Sequence, residues 1–394
     1  MIEYPLLVRQ LIILLFLAAP AAARKTSVTP EMHALLHEGI DAIYMMDFAA
    51  ADAITAKAIA LDPAYPHAYL GRAATDLIRF AYGTEQADPA LIKTFEVKIA
   101  ETIKVAQAWL KTHPQDPDVL FVLGSAHGIS GRLAIVQRQW LRAFGHGRAS
   151  MKTIRLAAKL DPELYDAQLG LGMFDYYVAT IPKFAGWLAN IVLGGDRARG
   201  IREIRVAAEK GDYARTSAQF ILVEIFLEDD FGARNPAEGL KWMRGIHAQY
   251  PDSPMVDTAL IAALYEDRKY GEAIQEAREY QARTKAGRYP VMNLAKSHAI
   301  LGTLLWAAGD KAGALDEFNA GAAATGGGLR TRWMVWSRAR VGQLLDALDR
   351  RDEALAAYKA AYDETDDWGY RALIKPCLQA PCVGEKYPGR FSPY

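Results

Sequence analysis

The chain has 394 residues, with 46 Lys or Arg side chains against 46 Asp or Glu side chains. This balance argues against a chain built around nucleic acid, which calls for a basic excess, so we expect no nucleic-acid partner. The length suffices for a large core or for an array of repeated units.

The first residues differ in character from the rest of the chain. Arg9 precedes an apolar run at residues 11–19, and Pro20 and small residues ending near Ala23 follow it. This order predicts a secretory signal peptide at residues 1–23, cleaved near Ala23. The alternative is a membrane anchor, but the run is shorter than the ~20 apolar residues of a spanning helix. We therefore expect a periplasmic or secreted protein.

Residues 32–63 predict a pair of helices joined by a short turn. Gly39 lies on the first helix, and Ala51 and Ala58 recur at helical spacing on the second, so we expect the two backbones to approach closely. Pro63 ends the unit because it has no amide hydrogen for a continuing helix. One such pair cannot bury both of its faces, which predicts further copies stacked beside it.

Copies of this unit follow in chain order, and three of them are interrupted. Extra residues fall near 81–88 in the second copy, near 131–146 in the third and at 181–195 in the fourth. We expect Asp196 to cap the helix that follows the last of these inserts. The later copies are regular, which brings the total to about eight helical hairpins. Close-contact dipeptides mark several first helices: Leu70-Gly71, Leu169-Gly170, Leu301-Gly302 and Val341-Gly342.

These motifs resemble those of the tetratricopeptide repeat family over about residues 32–362. The shared features are the LG or GL pairs, the D-F or G-D turns, the paired small residues of the second helices and the D-P terminators, at a period of about 34 residues. The resemblance implies an all-α, right-handed superhelical solenoid at residues 24–364. A local resemblance, carried by GLGMFDYYVATIP and LGGDRARGIREI, links the fourth copy to the tetratricopeptide repeat protein 39 family and its bacterial relatives.

In that family the concave face of the superhelix binds extended peptides or partner helices. Mapped onto this chain, the face is predominantly aromatic and amphipathic, which suits a protein segment better than an acidic tail. The alternative is that these side chains pack between hairpins. The predicted partner contacts are Tyr44, Tyr69, Arg72, Phe121, Phe174, Trp306 and Trp336.

The insert at residues 181–195 is too apolar for a free surface helix. It has three interpretations, in order of preference: a plug inside the superhelix, a cover for the fourth hairpin, or a contact with a membrane or partner. The side chains predicted for a lipid or peripheral membrane contact are Phe184, Trp187 and Ile191.

His33 and His37 are one helical turn apart, so they could share a metal ion. They do not form the H-E-x-x-H arrangement, and no third ligand is identifiable from the sequence. The simpler interpretation is a pair of surface histidines near a helix start. We therefore predict no metal and no cofactor.

Cys377 and Cys382 are the two cysteines of the chain, in a C-terminal extension at residues 365–394. Two cysteines with no nearby histidine make an incomplete zinc site. In an exported chain a local disulfide is the simpler prediction.

Together these features predict an exported scaffold that binds a protein or peptide partner in its concave groove, without catalysis. One alternative is a carrier that holds an apolar small molecule or lipid inside the superhelix. Another is a metal-dependent enzyme that uses His33 and His37, which the sequence favours least.

Overall fold

The computed structural model describes residues 26–180, 195–325, 330–364 and 368–382, and over these residues its regular structure is helical. The predicted signal peptide and the insert side chains Phe184, Trp187 and Ile191 lie outside the described residues. The α-helices are α1 (Pro30–Tyr44), α2 (Phe48–Leu61), α3 (His67–Ile78), α4 (Ala90–Thr112), α5 (Pro117–Val136), α6 (Trp140–Leu160), α7 (Ala167–Thr180), α8 (Arg197–Lys210), α9 (Arg215–Glu228), α10 (Pro236–Gln249), α11 (Pro254–Glu266), α12 (Tyr270–Lys285), α13 (Asn293–Ala307), α14 (Lys311–Ala323), α15 (Arg332–Asp346), α16 (Arg351–Tyr362) and α17 (Tyr370–Gln379).

Consecutive helices pair into eight hairpins, from α1–α2 to α15–α16, and α17 packs on the last of them. Each hairpin also packs on the next one along the chain, as expected for a solenoid. The predicted all-α solenoid of tetratricopeptide-like hairpins is confirmed.

A residue with positive φ recurs at one position of the hairpin turn. It lies two residues before the second helix, where the chain reverses between the antiparallel helices. Because non-glycine residues rarely adopt this conformation, its recurrence marks the same turn in the first, third, sixth, seventh and eighth hairpins. The residues are Met46, Arg138, Arg268, Gly309 and Asp349.

Short polar side chains begin many of the helices. Thr29 caps α1 by accepting a hydrogen bond from the amide of Met32, and Asp47 accepts one from Ala50 at the start of α2. The predicted cap at Asp196 is confirmed, since its carboxylate accepts from the amide of Arg199.

The first two inserts differ from each other in structure. Residues 131–146 extend α5 and α6, so these two helices are long, with 20 and 21 residues. The spacer of the second hairpin instead begins with a π-helical turn, Arg79–Gly83, that continues α3. A π-helical turn inside a helix is uncommon, and such turns frequently mark functional positions.

Glycine enforces close helix packing in the fourth hairpin rather than in the first. A Cβ atom on Gly172 would lie 2.6 Å from the carbonyl oxygen of Gly200, and one on Gly200 would lie 2.6 Å from the carbonyl oxygen of Gly172. A Cβ atom on Gly39 would make an ordinary 3.6 Å contact with Ile54. A methyl side chain would therefore fit at Gly39 without a clash.

The C-terminal cysteines form the predicted disulfide, Cys377–Cys382. Asp346 connects this end of the chain to the last hairpin, because its carboxylate accepts hydrogen bonds from the Cys382 amide and from the side chains of Arg351 and Tyr358. Within the part of the chain that is described, helices are too short or too polar to cross a bilayer.

We predict opposite effects of alanine at the two glycine positions. Gly172→Ala forces a side chain against backbone atoms of α8 and should destabilise the fold by about 1–3 kcal/mol. Gly39→Ala meets only ordinary contacts and removes a flexible residue from a helix, so it should be neutral or stabilising by up to about 1 kcal/mol. Urea unfolding of both variants checks this, and equal effects of the two changes would contradict it.

Candidate functional site

The first hairpin contacts the fifth and sixth hairpins, which closes the superhelix on itself. The hydroxyl groups of Tyr44 and Ser217 form a 2.7 Å hydrogen bond, and Tyr44 stacks on Phe220. Tyr250 donates to the carboxylate of Asp41 at 2.8 Å. The inner face of α1 is thus in contact with later repeats.

The spacer that follows α3 enters the interior from the second hairpin. We call residues 78–86 the plug segment, because Ile78 and Tyr82 pack on the hydrophobic core of the C-terminal half. Glu85 and Gln86 both have positive φ, 48° and 63°, a strained conformation for residues other than glycine. The Glu85 side chain of this segment is fully buried.

Glu85 is bound by three side chains from α13 and α15. Its carboxylate accepts hydrogen bonds from Lys296 at 2.9 Å, from Arg332 at 2.9 Å and 3.2 Å, and from the indole of Trp333 at 2.7 Å. Burial opposes ionisation of Glu85, but the two cations outweigh it and hold its pKa below the usual value. The interior at this point therefore holds a cluster of buried charges.

Five of the seven predicted partner contacts lie against other parts of the chain. Trp306 and Trp336 are 6% and 4% exposed, and both rings face the guanidinium of Arg340 at 4.7 Å and 5.4 Å. Phe121 is buried in the core between the third and fourth hairpins. Tyr69 is buried as well, and Tyr44 contacts α9 as described above. Contact of these residues with a partner stays a prediction, and it would require displacement of the chain's own residues.

The other two predicted contacts are partly exposed. Arg72 lies over the ring of Tyr69 and forms an ion pair with Glu101. Phe174 lies beneath the guanidinium of Arg155, with a distance of 5.4 Å to the ring centroid. The structure therefore brings together Tyr69 with Arg72 and Trp306 with Trp336, but it does not join the seven into one surface.

His33 and His37 meet a carboxylate from the turn between α8 and α9. Nε2 of His33 lies 2.9 Å from Oδ2 of Asp212, and Nε2 of His37 lies 2.8 Å from Oδ1. The ring of Tyr213 packs at 5.6 Å and 5.5 Å from the two imidazoles. The side chains of His33, His37 and Asp212 remain 38–44% exposed, so the group is accessible to solvent.

Hydrogen bonds shift the pKa values of Asp212 and His37 in opposite directions. The hydrogen bonds from His37 and His33 lower the pKa of Asp212 to about 2, although burial of the carboxylate opposes this shift. The hydrogen bond with Asp212 raises the pKa of His37. In addition, Asp166 accepts hydrogen bonds from the amides of Asp212 and Ala214, which fixes the turn that carries the carboxylate.

Sequence reasoning found the two histidines but missed Asp212. The aspartate is 179 residues from His33 along the chain, and nothing in its local sequence distinguishes it from a helix-terminating residue. Glu85 was missed for the same reason. A signal was nevertheless present, because Glu85 falls in the spacer that interrupts the regular period.

We predict a strong loss of stability when the plug segment loses its charge. Glu85→Ala leaves Lys296 and Arg332 buried without their common acceptor, and this should lower the free energy of unfolding by about 3–5 kcal/mol. The control is Glu353→Ala, which removes an exposed partner of Arg350 and should change little. Urea unfolding measures both, and a similar small effect of the two substitutions would be the contrary result.

We predict that Asp212 contributes stability in a defined pH range. A raised His37 pKa stabilises the fold below about pH 6.5 and is lost as the pH rises through the folded value, while the lowered Asp212 pKa stabilises it above about pH 4. Asp212→Asn should therefore cost about 0.5–1 kcal/mol near pH 5 and less at pH 8, since solvent screens this partly exposed pair.

Unfolding in the presence of a chelator at both pH values measures this difference. Glu353→Gln serves as the control, because its partner Arg350 does not titrate between these values, and its effect should be the same at both. An Asp212→Asn effect that is also independent of pH would contradict the assignment.

Neither a protein-family model nor a curated protein matches the sequence. Solved structures with a similar fold include a Rap protein complexed with competence and sporulation factor, which is 10% identical with a TM-score of 0.43 and covers 87% of this chain and 80% of that chain. Yeast Tom70 is 10% identical with a TM-score of 0.41 and covers 86% of each chain. The human IFIT1 dimer with PPP-AAAA is 12% identical with a TM-score of 0.47 and covers 90% of this chain and 86% of that chain.

At these identities and TM-scores, the molecules that those proteins bind are not assigned to this chain. The repeated turn, the paired helices and the stacking of successive hairpins are observations on this chain itself. The local resemblance to the tetratricopeptide repeat protein 39 family stays a prediction. By its fold the chain is a tetratricopeptide-repeat-like protein.

Proposed function

We propose that the chain is an exported binding scaffold and that a protein partner docks on the tip of its third hairpin. Export is supported by residues 1–23, in which an arginine, an apolar run and small residues follow one another as in a signal peptide. The disulfide also supports it, because disulfides are typical of an oxidising compartment. A binding role accords with a repeat fold whose described surface presents an apolar tip.

We choose this surface because of its exposed apolar side chains. Four large apolar side chains stand exposed where α5 ends and α6 begins, and we call them the third-hairpin tip. Monomeric proteins rarely leave large apolar side chains clustered in water, so such a cluster indicates an interaction site. The exposed fractions are 52% for Ile135, 65% for Trp140, 91% for Leu141 and 59% for Phe144.

The charge around the tip defines the chemistry of the partner. Residues 137–160 contain no Asp or Glu, and the exposed cations Arg138, Arg142 and Arg148 flank the apolar side chains, with Arg142 paired to Glu96 of α4. An apolar segment that also carries acidic residues complements this surface. Tryptophan and arginine are also the residue types in which interface energy tends to concentrate.

The concave groove is less suited to this role at the positions described above. The plug segment and the first hairpin cover its inner face, so a partner would have to displace buried contacts. The carrier alternative meets the same obstacle, because the Glu85 cluster places charges where an apolar ligand would lie.

We predict that a single charge at the tip abolishes partner capture. Leu141→Glu introduces an acid that repels an acidic segment and disrupts apolar contact, and its side chain is exposed, so the fold should persist. Photo-crosslinking in the native cell envelope, from a probe at Phe144, should yield a crosslinked protein that decreases at least about tenfold in this variant. Mass spectrometry should place the crosslink in an acidic, apolar segment.

The matched control is Val291→Glu, which changes another exposed aliphatic side chain far along the chain and should leave the crosslink intact. Sedimentation with anionic phospholipid vesicles tests the competing occupant, a membrane surface. If vesicle binding is lost in Leu141→Glu and no protein crosslink depends on Leu141, the proposal of a protein partner is overturned.

A further inference from the structure

We propose that His33, His37 and Asp212 bind a divalent transition-metal ion of the zinc type, with a fourth position open to solvent. This site goes beyond the scaffold role and is independent of it. Its ligands come from α1 and from the turn between α8 and α9, so the bound ion would join the first hairpin to the middle of the superhelix.

The ligand atoms lie close enough together to share one metal ion. The three ligand atoms lie within 4.8 Å of one another, and within the described ranges these residues form the one group of three or more His, Cys, Asp or Glu side chains that does so. Zinc–ligand bonds of about 2.0–2.2 Å place tetrahedral ligand atoms about 3.3 Å apart. Nε2 of His33 and Nε2 of His37 lie 2.9 Å and 2.8 Å from different oxygens of the Asp212 carboxylate, so these groups would have to move slightly apart to admit an ion.

The donor set selects the class of ion. Two imidazole nitrogens and one carboxylate oxygen suit zinc and its neighbours among the transition metals, whereas Mg²⁺ and Ca²⁺ prefer oxygen ligands alone. Both cysteines are joined in the disulfide, so no thiolate competes to define a softer site. Three protein ligands and an open position are typical of zinc sites that keep a water molecule.

The surrounding residues hold the ligands in place before any ion binds. A spacing of one helical turn puts both imidazoles on the same side of α1, with ring centroids 4.4 Å apart. Asp166 fixes the opposing turn by accepting hydrogen bonds from two backbone amides. The turn also requires glycine at position 211, because a Cβ atom there would lie 2.5 Å from the Ala207 carbonyl oxygen. Tyr213 covers one side of the group. Such supporting contacts orient metal ligands and strengthen binding.

Protons and a metal ion would compete for Nε2 of His33 and His37. Without an ion, a proton on each Nε2 can bridge to the carboxylate. On metal binding a neutral imidazole keeps its proton on Nδ1 and a protonated imidazole releases one proton, so binding weakens as the pH falls. The ion would replace the histidine–carboxylate hydrogen bonds with coordinate bonds across the same contact.

The test uses the full chain without an affinity tag, freed of metal by dialysis against a chelator and titrated with ZnCl₂. Calorimetry and elemental analysis should find a single zinc ion per chain, and saturating zinc should raise the melting temperature by about 2–6 °C. Co²⁺ should give a visible absorption band that hydrogen-bonded histidines alone cannot produce.

His33→Ala/His37→Ala should lose more than about 100-fold in zinc affinity, beyond the effect typical of supporting residues. Asp212→Asn keeps the shape of the side chain, removes its charge and should also weaken binding, which guards against misfolding of the double variant. The matched control is His127→Ala/His146→Ala, which removes another close histidine pair, with its Nδ1 atoms 3.1 Å apart, and should bind zinc like the parent chain.

Absence of stoichiometric zinc in the parent chain overturns the proposal. So does zinc binding that survives in both His33→Ala/His37→Ala and Asp212→Asn, or that is lost only in the His127→Ala/His146→Ala control. Because these measurements need no partner protein, their failure is distinct from failure of the proposed scaffold role.

Discussion

A buried carboxylate holds the interior of this solenoid together. Glu85 belongs to the second hairpin, yet its partners Lys296, Arg332 and Trp333 belong to the seventh and eighth. An isolated buried charge is strongly unfavourable, so all of these groups must be in place at once. The plug segment also keeps strained backbone at Glu85 and Gln86 to reach them. A stack of repeats that could have stayed open therefore has a defined closed arrangement.

The repeats were predictable because their determinants are local. Helical spacing of small and large residues, capping aspartates and D-P terminators act within one hairpin, and each can be recognised within about 34 residues. Closure was not predictable, because Glu85 is 211 and 247 residues from Lys296 and Arg332. Asp212 is similarly remote from His33. The plug predicted at residues 181–195 lies outside the described residues and stays a prediction. Among the described residues the spacer of the second hairpin enters the interior, and the sequence did not predict this.

Aromatic residues show why composition alone does not separate a binding face from a core. Trp306 and Trp336 were predicted as partner contacts, and the structure packs both around the guanidinium of Arg340. Trp140 was not predicted as a contact because its segment has the pattern of an ordinary helix, although its side chain is far more exposed than those of Trp306 and Trp336. The better signal was the absence of acidic residues from 137–160. Charge asymmetry, rather than aromatic content, distinguished the outward surface.

Two of the contacts that close the superhelix, the Glu85 cluster and the His33, His37 and Asp212 group, differ in their exposure and therefore in their physical properties. The Glu85 cluster is buried, so mobile ions screen it little, and Lys296 and Arg332 share the Glu85 carboxylate within the protein. The His33, His37 and Asp212 group is partly exposed, so salt, protons and metal ions can reach it. The interior contact therefore sets the closed architecture, whereas the outer contact can adjust how firmly the first hairpin is held. The third-hairpin tip contributes residues to neither contact, which leaves it available to a partner while the superhelix stays closed.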